Sequence, residues 1–414
     1  MELAERGEKA YVFAPHTVYQ ATGHYLNDLD MDVWYDKLVA LEGVKKREID
    51  ARKLLTQIAR TQFESGYPYV VFKDNANKVH ALKDLGQIKM SNLCCEILQL
   101  QETSVIHDYG VEDEIKRDIS CNLGSLNLVN VIETDDFENL IYTSINALST
   151  VSEMSQIQNA PSIRKANNEL HSVGLGLMNL HGFLAKNKVA YESDVAREFV
   201  DVFFETLNFY SIKASCRLAM EKKETFKDFE QSEYAKGTYF DKYLKREQPA
   251  WSEKVKGLLG KQIKFVPTKE DWNELKQMVQ ANGLYNAYRL AIAPTGSISY
   301  IQSATPSIAP IVEVVERRTY GDSTTYYPAP YLAKDNFFFY KSAYNTDMKK
   351  YLELVAKAQF HVDQGISTIL YVDTNTTTRE LVQLYVYAWK LGLKSLYYTR
   401  VKNLDVTECE SCSV

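Results

Sequence analysis

The stretch that most restricts the fold is "ISTILYVDTNTTTRELVQLYVYAWKLGLKSLYYTR", residues 366–400. It opens with "ISTILYV", a β-branched apolar run of strand length. "DTNTTTRELVQLYVYAWKLG" follows, with Asp, Thr and Asn capping candidates at its start, apolar residues at helical spacing and Gly392 as its stop. "LKSLYYTR" is a second short β-forming run. Strand, capped helix, strand is the pattern of a βαβ unit, whose two strands lie parallel, and the expected class is therefore α/β.

Upstream, residues 28–66 carry apolar residues at helical spacing and close on Gly66. "YPYVVF" then reads as a short strand, and 192–222 reads as a helix in which "FVDVFFETLNFY" makes a broad apolar stripe. "GLGLMNLHG" at 174–182 has the wrong glycine spacing for a dinucleotide fingerprint and reads as helix packing. The last residues, "VKNLDVTECESCSV", have too little apolar content to pack and read as a mobile tail. No repeat or low-complexity linker interrupts the chain.

Composition excludes several classes. Over 414 residues the chain is 45% apolar and 25% charged, with a net charge of -6 and acids mixed among bases. These are the proportions of a soluble globular protein. No basic run of the kind that grips nucleic acid occurs, no apolar stretch is long enough to cross a membrane, and the N-terminus lacks an apolar signal region. The expected location is the cytoplasm, where thiols stay reduced. Six cysteines in such a chain are not a disulfide scaffold; they are inert, metal-binding or catalytic.

"SNLCCEILQL" places Asn92, Cys94 and Glu96 at alternate positions. If the backbone is extended, the three share one face and Cys95 points away. A thiol then lies between a hydrogen-bonding amide and a general base. A cysteine in an apolar stretch is most often a small buried hydrophobe, so the cluster alone does not decide. Cys121, in the strand-like "RDISCNLGSLNLVNVI", taken alone is also core-like. Cys409 and Cys412 form a C-x-x-C beside the terminus. That spacing is half a zinc site, but no further ligands stand at chelating spacing, and a polar tail suits thiol–disulfide exchange better. "IAPTGSISYIQSATPSI" supplies Pro294, Thr295, Gly296, Ser297, Ile298 and Ser299, a hydroxyl-rich turn small enough to approach phosphate closely, though an ordinary Ser/Gly turn looks the same. Tyr397 and Tyr398 would face opposite sides of a regular strand, so acting together requires the strand to end or twist there.

In order and spacing, "FAPH", "SNLCCEI", "ISCNLGSLN", "HSVGLGLMNLHG", "APTGSISYI", "YYPAPY", "HVDQG", "KSLYYTR" and "CESC" resemble the large (alpha) subunit of class I ribonucleotide reductase, with wording nearest the class Ib and bacteriophage branches. The resemblance implies that Cys94 becomes a transient thiyl radical that takes the 3′ hydrogen of a ribonucleoside diphosphate. It implies that Glu96 accepts the 3′-OH proton, Asn92 holds the substrate hydroxyls, and Cys121 is one of two thiols that reduce the 2′ position. Substrate would lie along Asn92, Leu93, Cys94, Cys95 and Glu96, with the Cys95 side chain a small packing residue. The diphosphate would lie on Pro294, Thr295, Gly296, Ser297 and Ile298, with Ser299 beside them. Tyr397 and Tyr398 would relay the radical from a small (beta) subunit whose dimetal centre generates it, di-iron in one subclass and often dimanganese in another. Cys409 and Cys412 would re-reduce the active-site disulfide with electrons from a thioredoxin- or glutaredoxin-like protein. No cofactor or metal is expected on this chain.

The implied fold is the second half of a ten-stranded α/β barrel with a central radical-cysteine loop, preceded by helices. The expected division is a helical lead-in over 1–90, a catalytic half-barrel over 91–400 and a redox tail over 401–414. One departure matters: the family's second reducing cysteine lies upstream of the radical cysteine, whereas the first cysteine here is Cys94. The chain is thus expected to be about the C-terminal half of an alpha subunit, a natural split or a trimmed piece, active only with its complementary N-terminal half. Two other readings stand beside it, a non-enzymatic assembly half and an unrelated thiol-redox or zinc-tail protein.

Overall fold

The fold begins with a small lead-in. In this computed structural model, residues 1–402 are described apart from 156, 248, 249 and 321, so Cys409 and Cys412 lie outside the described residues. β1 (Lys9–Phe13) pairs antiparallel with β2 (Lys46–Asp50). Between them, Asp30 caps the helix Met31–Ala40 by accepting the Asp32 N–H. The helical spacing over 28–66 is therefore not one helix. Gly43, with φ 87°, lies between helix Met31–Ala40 and β2, and the chain stays extended until Asp50 caps a second helix, Ala51–Ser65. That helix stops at Gly66, whose φ of 81° is the left-handed conformation glycine adopts most easily. "YPYVVF" yields only the two-residue β3 (Val70–Val71), antiparallel to Ser395–Leu396.

Beyond the lead-in, five extended segments lie side by side in chain order, all parallel. β4 (Leu123–Asn127) pairs with β5 (Gly174–Met178). β5 bridges residues 288–292 through Leu175 and Leu290, and that segment bridges the next through Ile292 and Ile366. An antiparallel hairpin, β6 (Val315–Tyr320) and β7 (Ser323–Pro328), stands outside this series. β8 (Leu370–Val372) continues the fourth segment; after β9 (Ser395–Leu396), β10 (Thr399–Val401) pairs parallel with it. The helix Thr378–Lys390 joins the last two segments, and Thr377 and Glu380 cap each other's backbone at its start, so the C-terminal βαβ unit forms as its sequence indicates.

The glycine-rich 174–182 stretch is a strand over Gly174–Met178, where helix packing is expected, and only its end, from Leu180, enters a buried helix, Leu180–Lys186. A Cβ on Gly176 would lie 2.5 Å from the Ala291 carbonyl oxygen, and one on Gly174 would lie 2.6 Å from a Leu123 methyl. Both glycines let β5 press between its two neighbours. The helix Asp194–Lys222 lays Phe199, Phe203 and Leu207 into the same core as Leu175, Ile292, Ile366, Leu370 and Val401. Each such side chain contributes roughly 1.5–3 kcal/mol by leaving water, so the sheet and its helices are one packed unit.

Candidate active site

The Asn92–Glu96 stretch is a tight turn and not the extended strand that alternation suggests. The Cys95 N–H donates to the Asn92 carbonyl at 3.3 Å, and Cys95 itself is left-handed, with φ 66°. The turn still assembles the expected groups. Asn92 Nδ2 donates to Glu96 Oε1 at 3.0 Å and lies 3.8 Å from Cys121 Sγ, while Asn92 Oδ1 accepts the Ile97 N–H at 3.0 Å. One amide thereby fixes its own turn, the carboxyl and the second thiol. Leu93 is half exposed at the tip, whereas Cys94, Cys95 and Glu96 are buried. The Cys95 thiol points back to the Leu93 carbonyl, as a packing residue would.

Residues distant in sequence hold this turn in place. Ser367 Oγ lies 2.7 Å from the Cys94 carbonyl and 2.9 Å from Glu96 Oε2. Ser395 Oγ donates to the Cys95 carbonyl at 2.8 Å. The Gly365 N–H donates to the Glu96 carbonyl at 2.7 Å, and a Cβ at Gly365 would lie 2.7 Å from the Cys95 carbonyl oxygen, so only glycine lets the fourth segment approach this closely. Gln99 Nε2 bonds both the Ser120 carbonyl and Gln364 Oε1, and Gln364 Nε2 reaches the Val173 carbonyl. This pair sets the position of Cys121, one residue past Ser120, relative to the turn. Each of these positioning residues falls in a stretch the sequence singles out, Gln364 and Gly365 in "HVDQG", Ser367 in "ISTILYV", Ser395 in "KSLYYTR" and Gln99 in "SNLCCEILQL", yet no local pattern gives any of them a part in holding the turn.

Electrostatics at the cluster favour neutral groups. Burial raises the Glu96 carboxyl above its ordinary range, opposed by hydrogen bonds from its own backbone, Asn92 and Ser367. The Cys121 thiol, at the open side of the cluster, is pushed up to about 11 by the protein packed behind it and by the charge of Glu96. The Cys95 thiol is also raised to about 11, chiefly by burial. A carboxyl raised in this way holds a proton more readily than an exposed one, as a group that accepts a proton must.

Tyr397 and Tyr398 occupy the break between β9 and β10, the strand end that joint action requires. Their rings lie 4.7 Å apart at 76°. Tyr397 is buried, its N–H donates to the Thr368 carbonyl, and it follows Ser395 by two residues, which puts the tyrosine pair on the segment that fastens the Cys95 carbonyl. Tyr69 packs edge-on against Tyr397 at 4.7 Å, a contact that "YPYVVF" does not reveal on its own.

Pro294, Gly296 and Ser299 wall a cavity of ≈ 780 Å³ together with Tyr397, Tyr398 and Arg400; Asn92, Cys94, Glu96 and Cys121 are not among its walls. Thr295 is left-handed, with φ 53°, and its hydroxyl accepts the Ser307 N–H at 2.7 Å. Ser299 Oγ donates to the Gly296 carbonyl at 3.0 Å, and Ile298 faces outward. The volume is in the range of small-molecule sites. Among the described residues, no three His, Cys, Asp or Glu side chains converge as metal ligands would, and no helix is long and apolar enough to cross a membrane.

Comparison with known proteins matches residues 1–399 to the family described as ribonucleotide reductase, barrel domain. The ribonucleoside-diphosphate reductase subunit alpha of Bacillus subtilis (strain 168) is 49% identical over 414 residues, covering 100% of this chain and 59% of the relative. The subunit of the same name from Mycoplasma pneumoniae is 43% identical, again over 100% of this chain and 59% of the relative. The nrdEB subunit alpha of Bacillus phage SPbeta is 48% identical over 78% of this chain and 29% of its own length. The chain thus spans about three-fifths of the length of the first two of these relatives.

Proposed function

The chain belongs to the ribonucleotide reductase large-subunit family, and from that premise we propose that it is the catalytic C-terminal part of a ribonucleoside-diphosphate reductase alpha subunit, reducing ribonucleotides to deoxyribonucleotides for DNA synthesis. The observation that carries this reading is the convergence of Asn92, Glu96 and Cys121 on the turn that bears Cys94, with paired tyrosine rings on the adjoining segment. In this reading the five parallel segments are the second half of the ten-stranded barrel, and the turn is its central radical loop.

The chemistry follows from the groups present. Oxidation at Tyr398 passes through Tyr397 to Cys94, whose thiyl radical takes the 3′ hydrogen of the sugar. Glu96 takes the 3′-OH proton, and hydrogen bonds from Asn92 and Ser367 stabilise its charged form until it does so. Loss of the 2′-OH as water needs two electrons and two thiols, which end as a disulfide. Cys121 is one of them. The other is supplied by the complementary N-terminal half, because Cys95 is packed toward Leu93 and Cys216 is buried in the helix Asp194–Lys222. The diphosphate occupies the cavity beside Pro294, Gly296 and Ser299. Cys409 and Cys412 return the disulfide to thiols with electrons from a redoxin in the cytoplasm, and the radical comes from the dimetal small subunit.

Size-exclusion chromatography with a deoxynucleoside-diphosphate assay tests this. The chain with the small subunit alone is expected to be inactive. Adding a polypeptide that carries the first half-barrel and its cysteine is expected to give a stable complex and restored reduction, through a large apolar interface. Full activity without that polypeptide refutes the proposal.

A further inference from the structure

Ser367 has one hydroxyl proton and two partners that both require a donor when Glu96 is charged. The Cys94 carbonyl at 2.7 Å can only accept. Glu96 Oε2 at 2.9 Å accepts when ionised and donates when protonated. A single proton cannot serve both acceptors at once, and the ambiguity is resolved only by the protonation state of Glu96.

We propose that Ser367 is a positioning residue that couples the proton on Glu96 to the backbone of the Cys94 turn. With Glu96 ionised, the Ser367 O–H is directed to the carboxylate. With Glu96 protonated, its own O–H is donated to Ser367 Oγ, and the Ser367 proton is released to the Cys94 carbonyl. The cysteine turn is then fastened to the fourth sheet segment in the state in which Glu96 holds a proton. The Glu96 carbonyl has the Gly365 N–H as its donor, and the Ser395 hydroxyl serves the Cys95 carbonyl at 2.8 Å with only the Ile366 carbonyl, at 3.4 Å, as an alternative, so the Ser367 bond is the one whose two partners include a group that gains or loses a proton. The titratable groups facing Glu96 are the thiols of Cys95 and Cys121, both raised chiefly by burial and further by its charge. Asn92 and Ser367 are neutral donors. If Glu96 accepts the 3′-OH proton, the turn bearing Cys94 tightens as that proton arrives; this consequence rests on the proposed function, whereas the coupling itself does not.

The test is an infrared titration of the full chain, alone or with the polypeptide that completes it. Glu96→Gln assigns the carboxyl band. A nuclear magnetic resonance titration of isotope-labelled cysteine follows the Cys95 N–H, which shares a peptide group with the Cys94 carbonyl, and Cys95→Ser assigns that signal. Removing a donor to a charged carboxylate favours its protonated form, so Ser367→Ala is expected to raise the Glu96 protonation constant about tenfold. The Cys95 amide is expected to shift at the Glu96 midpoint in the wild type and to lose that dependence in Ser367→Ala. Ser367→Cys, similar in size with a weaker donor, is expected to move the same way, and Ser367→Thr to remain near wild type. An unchanged Glu96 titration in Ser367→Ala or Ser367→Cys, or a Cys95 amide indifferent to Glu96 in the wild type, overturns the coupling whatever the activity. A shifted titration with an unshifted pH–rate profile leaves the coupling standing and removes Glu96 from the reaction.

Discussion

Cys94→Ala and Cys94→Ser are expected to bring ribonucleotide reduction by the reconstituted complex to background, a fall of at least ~1000-fold, or about 4 kcal/mol in barrier. The reasoning is chemical. Neither a methyl nor a hydroxyl group forms a radical that can be reached from a tyrosine and still abstract hydrogen from a sugar carbon. The turn itself survives, because its bonds run through the Asn92 side chain, the Ser367 and Ser395 hydroxyls and backbone groups. The thermal midpoint of either variant is therefore expected to stay close to wild type, with a stability change of about 1 kcal/mol or less. Deoxynucleotide formation with a melting curve checks both halves of this expectation, and substantial turnover by either variant removes Cys94 from its role.

Tyr397→Phe and Tyr398→Phe are each expected to lower turnover with the small subunit by at least ~100-fold, about 2.7 kcal/mol in barrier. Phenylalanine keeps the ring, so the 4.7 Å edge contact between the pair, and that of Tyr397 with Tyr69, can persist. What is lost is the phenolic O–H, without which the ring cannot give up an electron and a proton together. A melting curve on each variant separates this loss from a packing defect, whose cost from one hydrogen bond is about 1 kcal/mol. Normal turnover in either variant makes that tyrosine structural.

How far these assignments can be read from sequence depends on where the partners lie. The C-terminal βαβ unit is legible because its strands, cap and stop are contiguous between Ile366 and Val401. The tyrosine pair is legible for the same reason: alternation forbids two neighbours on one face, and the strand breaks there. The glycines of "GLGLM" are misread because their reasons lie in other segments: the Ala291 carbonyl, more than 100 residues away, stands where a Cβ on Gly176 would, and a Leu123 methyl, about 50 residues before, stands where one on Gly174 would. Residues 28–66 keep helical spacing through a segment that Gly43 and the pairing of β2 with β1 take out of the helix. At the site, the kinds of residue are legible and their geometry is not. Asn92, Cys94 and Glu96 suggest alternation along a strand, yet Asn92 meets Glu96 because Cys95 turns left-handed. Ser367 and Ser395 stand 273 and 300 positions from the carbonyls they hold, beyond any local pattern.

The central claim is that Cys94 breaks the 3′ carbon–hydrogen bond, and single-turnover reduction of a 3′-deuterated ribonucleoside diphosphate by the reconstituted complex tests it most directly. The expected result is slower product formation than from the unlabelled substrate with wild-type Cys94, and no product from either substrate with Cys94→Ala. Deoxynucleotide formed by the Cys94→Ala complex, whether or not its rate responds to the 3′ label, would contradict the account.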